Sequence, residues 1–235
     1  MLGKGIHSLP ARGRAGKSAP RIQYLGNGVS SGAQQGRAMR NGGWVIAVVA
    51  SGLSILPASV PSPALAEPAY VSVVREYVDA VVRPMVKNQI VMKAIKDQNI
   101  KFGDVSKTDI QVLDSTYRAE VETGRFEMIA ALTAKPVSRY LKAKQDGSQG
   151  IIIEFFVTDK NGLNVGESRP TVDYWQGDEN KYLKTFARDS DEVFIDRAER
   201  DDVTQILETQ ASFTIRDEAG KAIGIATVTI ALDAI

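Results

Sequence analysis

Tyr174 and Trp175 stand side by side in the run Asp173-Tyr174-Trp175-Gln176-Gly177-Asp178-Glu179. Adjacent aromatics in a loop offer two stacking faces, a hydroxyl and an indole N–H. Those groups can wall a small-molecule pocket and orient a polar ligand. Asp173 beside them could accept a hydrogen bond from a ligand amine or could close a turn. Asp178 and Glu179 fall where a helix is expected to begin. Negative charge there suits the positive end of the helix dipole, so capping competes with ligand contact. Lys181 and Arg188, seven residues apart on that helix, could pair with a ligand carboxylate or face solvent. The alternative for the aromatic pair is a hydrophobic plug that closes the sheet.

Other chemistry is excluded by residue type. The only histidine is His7 and there is no cysteine, so residues 67–235 hold neither. A Ser-His-Asp or Cys-His triad cannot be assembled there, nor a histidine-ligated zinc site. No cofactor is implied, and the expectation is a protein that is not an enzyme. A carboxylate-pair hydrolase remains chemically allowed, and it needs two acids facing each other across a cleft about 5–10 Å wide. The acidic stretch Asp189, Asp191, Glu192, Asp196, Glu199, Asp201 and Asp202 is interleaved with Arg188, Arg197 and Arg200. That mixture reads as a solvated surface, and its spacing matches no EF-hand loop. Two look-alikes near the N-terminus lack the strand their chemistry requires. Ala11 to Ser18 spells a loose phosphate-binding loop between Pro10 and Pro20, and Gly28 to Gly32 spells a nucleophile elbow.

Charge divides the chain. Residues 1–66 carry seven basic and no acidic groups, which leaves 22 basic and 28 acidic groups in residues 67–235, a formal charge of −6. An acidic body argues against a nucleic-acid partner. Trp44 to Leu56 is an apolar run of 13 residues closed by Pro57. Spanning a bilayer takes about 20 residues. The run suits the apolar core of a secretory signal instead. Ala64-Leu65-Ala66 supplies the small-x-small pattern, so cleavage is expected after Ala66. The expected division is a basic leader over 1–38, with Met1 and Met39 as alternative starts, a signal peptide over 39–66 and one domain over 67–235. With no cysteine, packing alone must hold that exported domain.

Four helices are expected before residue 150. Tyr70, Val74, Tyr77, Val78, Val81 and Met85 recur at three- and four-residue steps, predicting a helix over 69–99 that Pro84 should kink. Ser106 to Asp109 reads as the cap of a second helix, with Ile110, Leu113, Tyr117 and Val121 on its apolar face. Shorter helices are expected over 125–133 and 136–145. From Gly150 the period changes to two, predicting strands near 151–158, 162–167, 192–199, 204–216 and 221–233, with a helix at 178–187. Asp159-Lys160-Asn161-Gly162 and Asp217-Glu218-Ala219-Gly220 are hairpin turns. The fold class is α+β: a long N-terminal helix packed on a five-stranded antiparallel sheet.

Strand, Asp-x-x-Gly hairpin, the Asp173–Glu179 run and a closing strand with Gly220-Lys221-Ala222-Ile223-Gly224 resemble the PDC sensor domains of the Cache superfamily. The likeness runs over residues 70–235 and is nearest to secreted, stand-alone members. It implies an extracytoplasmic, periplasmic ligand-binding domain whose pocket lies between the sheet and the loop around Asp173–Glu179. Ligands in the family include organic acids, amines and amino acids. The arginine-tryptophan pairing of the amino-acid-binding branch is missing, so no one class stands out. The resemblance also implies signalling through a partner, either a membrane receptor that docks the liganded form or a second copy. Such a dimer would use the N-terminal helix, apolar on more than one side at Val73, Val82 and Ile90. The alternative is a periplasmic structural or assembly module without a ligand, in which Tyr174 and Trp175 are buried in the core.

Overall fold

A computed structural model describes residues 67–235. The expected basic leader, the expected export signal and both motif look-alikes lie outside the described residues. Helix α1 (Ala69–Tyr77) passes directly into a π-helical turn over Val78–Val82 and on into α2 (Arg83–Val86). Pro84 accounts for the turn: it has no N–H to donate, and the widened ring just before it absorbs the misfit. The turn also aligns the core. Val74, Val78, Val82 and Val86 are all buried, at strict four-residue steps. An α-helix repeats every 3.6 residues, so such a stripe would wander around the axis. The wider winding of the π turn returns it to the sheet.

The chain breaks after α2, and Asn88 caps α3 (Gln89–Lys101) by accepting a hydrogen bond from the Ile90 N–H at 2.9 Å. The single helix expected over 69–99 is thus two helical stretches, divided by a cap rather than by the proline alone. Of the three apolar residues expected on its second face, Val82 is buried, while Val73 and Ile90 are exposed.

Helix α4 (Lys107–Thr123) is capped by the Ser106 hydroxyl, which accepts from the Asp109 N–H at 3.1 Å, and it ends at Gly124 with φ 70°. The Asp109 carboxylate accepts a hydrogen bond from the Ser106 hydroxyl at 2.7 Å. Ser106→Ala is therefore expected to cost about 1 kcal/mol, read as a lower urea midpoint at unchanged slope. Helices α5 (Glu127–Thr133) and α6 (Pro136–Asp146) follow.

The strands are β1 (Ile152–Thr158), β2 (Asn164–Glu167), β3 (Phe194–Ile195), β4 (Glu199–Arg200), β5 (Leu207–Arg216) and β6 (Ala222–Ala231). They form one antiparallel sheet in the order β2-β1-β6-β5-β3, with β4 also paired to β5. The strand expected over 192–199 is thus two short pieces, and the sheet has six strands rather than five. The helix expected over 178–187 contracts to α7 (Asn180–Leu183) and a 3-10 turn at Phe186–Arg188.

Helices α1, α2, α3 and α6 cover one sheet face. Their valines, Ile95 and Leu141 pack on Phe155, Val157, Phe213, Val228 and Ile230. A bulge in β1 decides what the other face receives. Ile152 pairs with Ile230 and Glu154 with Thr229, so Ile153 is the extra residue. Strict alternation would send Ile153 and Phe155 the same way. With the bulge, Ile153 and Glu154 both leave the core side, while Ile152 and Phe155 stay on it. A second apolar cluster under α4 and α5 joins Ile110, Tyr117, Ile129, Leu132, Leu163 and Tyr174. Among the described residues, no helix is long and apolar enough to cross a membrane.

Candidate functional site: a cavity on the far face of the sheet

The face opposite α1 carries a cavity of about 820 Å³. Its floor is a polar row across three strands, in which Glu154 of β1 pairs with Thr229 of β6, and Thr229 with Gln210 of β5. Phe156 and Glu208 extend the floor. One wall is the segment from Arg169 to Lys181, and the other is the stretch from Asp196 to Thr204 that includes β4. Val172 and Val203, at 76% and 90% exposure, stand on the two lips.

Carboxylates dominate the lining: Glu154, Asp173, Glu179, Asp196, Glu199, Asp201 and Glu208 against Arg169, Lys181 and Arg197. Burial raises the pKa of Glu154, an effect opposed by Arg169 and Lys181. Glu208 is likewise raised, first by burial and then by Asp201. Asp173 is raised by burial and by Glu179, although Arg118 works against this. Lys181 is already engaged. Its ammonium pairs with Glu179 at 2.9 Å, donates to Gln176 Oε1 at 3.0 Å and lies 5.4 Å over the Phe156 ring.

Of the six residues singled out from the sequence, Asp173 and Lys181 line this cavity. Tyr174 and Trp175 do not. Tyr174 is only 4% exposed and stacks on Tyr117 at 5.8 Å between ring centres. The Trp175 indole N–H donates to the Asn161 carbonyl at 2.8 Å, and its backbone pairs with Leu163. Two glycines admit that ring. A Cβ on Gly177 would sit 2.4 Å from the indole nitrogen, and Gly162, at φ 82°, lies against Gly177. Tyr174 is therefore turned inward, while Trp175 is only partly buried, so one of the two meets the burial that the plug alternative required. Asp178 is exposed outside the lining. Arg188 lines a separate concavity beside Glu67 and Tyr70, because the helix meant to carry it alongside Lys181 stops at Leu183.

The aromatic pair does position the site. Asp114 of α4 accepts from the backbone N–H groups of both Tyr174 and Trp175 at 3.0 Å. Its other oxygen pairs with Arg118 at 2.8 Å, and Arg118 reaches Asp173 at 3.1 Å. Asp173 also accepts from Gln176 Nε2 at 2.5 Å. Helix α4 thus holds the cavity wall by its backbone and by one carboxylate. Deeper in, the buried Glu167 accepts from the Tyr117 hydroxyl at 2.8 Å, from Thr171 at 3.2 Å and from Asn164 at 3.3 Å. Burial lifts its pKa to about 7, against the effect of these hydrogen bonds.

Sequence reasoning missed the floor residues Glu154, Glu208, Gln210 and Thr229 and the clamp residues Asp114 and Arg118. Glu154 did leave a signal, as one charge inside the apolar run Ile151 to Val157. In the acidic stretch, Asp189 and Asp191 pair with Arg216 at 2.8 and 2.6 Å, while Asp196, Glu199 and Asp201 edge the cavity. Among the described residues, no group of three or more His, Cys, Asp or Glu is arranged to hold a metal ion.

No protein-family model matches the chain, and no curated protein matches it. Among solved structures it is similar to an extracellular ligand-binding receptor from Desulfohalobium retbaense (13% identity, TM-score 0.32), over 61% of this chain and 25% of that one. It is similar to the sensor domain of Escherichia coli DcuS (15% identity, TM-score 0.34), over 54% of this chain and 88% of that one. It is also similar to the ligand-binding domain of the Campylobacter jejuni chemoreceptor Tlp3, solved with 4-methylisoleucine (16% identity, TM-score 0.33), over 66% of this chain and 62% of that one. The chain thus spans a quarter of the first of these proteins and under two thirds of the third.

Proposed function

We propose that residues 67–235 form a PDC/Cache-like sensor domain that binds a small molecule, without turning it over, in the cavity on the far face of the sheet. The cavity carries this reading. Its volume of about 820 Å³ falls within the roughly 300–1,000 Å³ of small-molecule pockets. Its floor presents hydrogen-bonding side chains from three strands, and one of its walls is a loop held by helix α4. Asp173 and Lys181 belong to the proposed site, with Glu154, Gln176, Glu208 and Gln210. The finer reading rests on the sequence resemblance and on the basic, apolar N-terminal third: the domain works outside the cytoplasm and passes its state to a partner protein.

The burial of Tyr174 favours the other reading, a structural module without a ligand. The two readings divide on whether the cavity takes a compound. The test is a thermal-shift screen of the protein against amines, amino acids, organic acids and nucleobases, repeated on Gln210→Trp, which fills the cavity from its floor. A ligand at 100 times its Kd adds about 2.7 kcal/mol, or roughly 5–10 °C in a domain of this size. The expected result is a shift of that size that Gln210→Trp removes. A flat screen on folded protein moves the reading to the structural module, and a shift that Gln210→Trp leaves intact places the ligand outside this cavity.

A further inference from the structure

Glu154 and Glu208 share the cavity floor, and neither forms an ion pair with any described residue. Thr229, 3% exposed, lies between them in the strand order, and its hydroxyl approaches the Glu154 carboxylate only to 3.5 Å. A carboxylate taken out of water without a cation or a full set of donors is costly, and a cation at the floor offsets that cost. The cations of the lining pair with neither carboxylate, although Arg169 and Lys181 partly offset the burial of Glu154 without contact. Lys181 is held by Glu179 and Gln176, and Arg169 and Arg197 are exposed. An anionic ligand would face the opposite problem, since it would enter among seven carboxylates, and the one half-buried cation of the lining, Lys181, is already paired with Glu179.

From this arrangement, and resting on the cavity being the binding site, we infer that the ligand carries a primary or secondary ammonium that the floor binds through Glu154, with Glu208 beside it. A quaternary ammonium fits less well. Such groups are recognised by open aromatic faces, and the one aromatic ring of the floor, Phe156, is covered by the Lys181 ammonium. An N–H cation finds acceptors instead, in the Glu154 carboxylate, the Thr229 hydroxyl and the Gln210 amide oxygen. The Glu154 pKa, raised by burial, fits a site whose charge is completed by its ligand.

A length-matched series tests this by calorimetry on the full chain. Putrescine, 4-aminobutyrate and succinate share a four-carbon span and differ in whether their ends are cationic, mixed or anionic, and choline adds a quaternary cation. Affinity is expected to fall in the order putrescine, 4-aminobutyrate, succinate, with choline well below putrescine. Glu154→Gln should weaken putrescine by about tenfold or more. Glu208→Gln is a second, independent substitution on the same floor. Both are near-isosteric, and melting curves report whether they fold. Preference for succinate, choline equal to putrescine, or putrescine affinity unchanged in both variants would overturn the ammonium assignment while leaving the cavity as a binding site. Failure of all four compounds also overturns it. The screen with Gln210→Trp then decides separately whether the cavity binds anything, because that variant acts by volume and not by charge.

Discussion

Tyr174→Ala is expected to lower stability by about 3–5 kcal/mol, the usual cost of removing a large buried aromatic. At about 2–4 °C per kcal/mol in a domain of this length, the melting temperature should fall by roughly 6–20 °C. The ring is buried in the cluster beneath α4 and stacked on Tyr117, and its neighbours cannot close the space without moving that helix. The same substitution separates two roles for the aromatic pair. A pocket residue loses ligand affinity while the fold keeps its melting point. A plug residue loses the fold's stability, and affinity follows only through the loosened loop. Conversely, a Tyr174→Ala protein with an unchanged melting temperature and no ligand binding would put the side chain back in the pocket. Urea denaturation and calorimetry on one preparation read both quantities.

Glu167→Gln is expected to change how stability depends on pH. In the folded protein Glu167 has its pKa pushed up to about 7 by burial, from an ordinary value of 4.5. Below pH 4.5 the group is protonated in both folded and unfolded chains and contributes no slope. Between 4.5 and 7 the unfolded chain has released a proton that the folded one keeps, so rising pH favours unfolding. Above 7 the penalty is constant. One pKa unit corresponds to about 1.4 kcal/mol, so this group removes roughly 3 kcal/mol from the folded state across that window. Glutamine cannot ionise and can still accept the Tyr117 hydroxyl. The variant should therefore gain on the wild type by roughly that amount between pH 4 and pH 8. Tyr117 faces the group directly, Glu154 raises its pKa further, and Lys135 on the neighbouring connection has a pKa lowered by burial. Parallel stability curves for the two proteins from pH 4 to 8 would contradict this account of the site.

The elements themselves were largely legible. The three- and four-residue steps from Tyr70 to Met85 specify a helix facing a core. Ser106 marks the start of the next helix, and the change of period after Gly150 specifies strands. What the sequence left open depends on distant contacts. Tyr174 and Trp175 look alike as pocket walls or as a plug until Asp114, some 60 residues earlier in the chain, takes their backbone N–H groups and fixes which way the loop faces. Gly177 was legible as a glycine but not as the space for the Trp175 ring. The bulge at Ile153 cannot be read from an unbroken apolar run, yet it turns Glu154 toward the cavity. The helix expected over 178–187 stops at Leu183 and gives way to the 3-10 turn at Phe186–Arg188, so Lys181 and Arg188 do not share a helix face.

The most direct test of the cavity as the binding site is amide chemical-shift mapping with the screened compound that most raises the melting temperature. The account predicts perturbations concentrated at Ile153 to Phe156, at Glu208 to Gln210, at Thr229 and along Arg169 to Lys181. It also predicts smaller ones at Asp114 and Arg118, which clamp that wall. Shifts clustered instead around the concavity that Phe102, Val105, Val112 and Leu113 line between α3 and α4, with the sheet's far face unchanged, would contradict it.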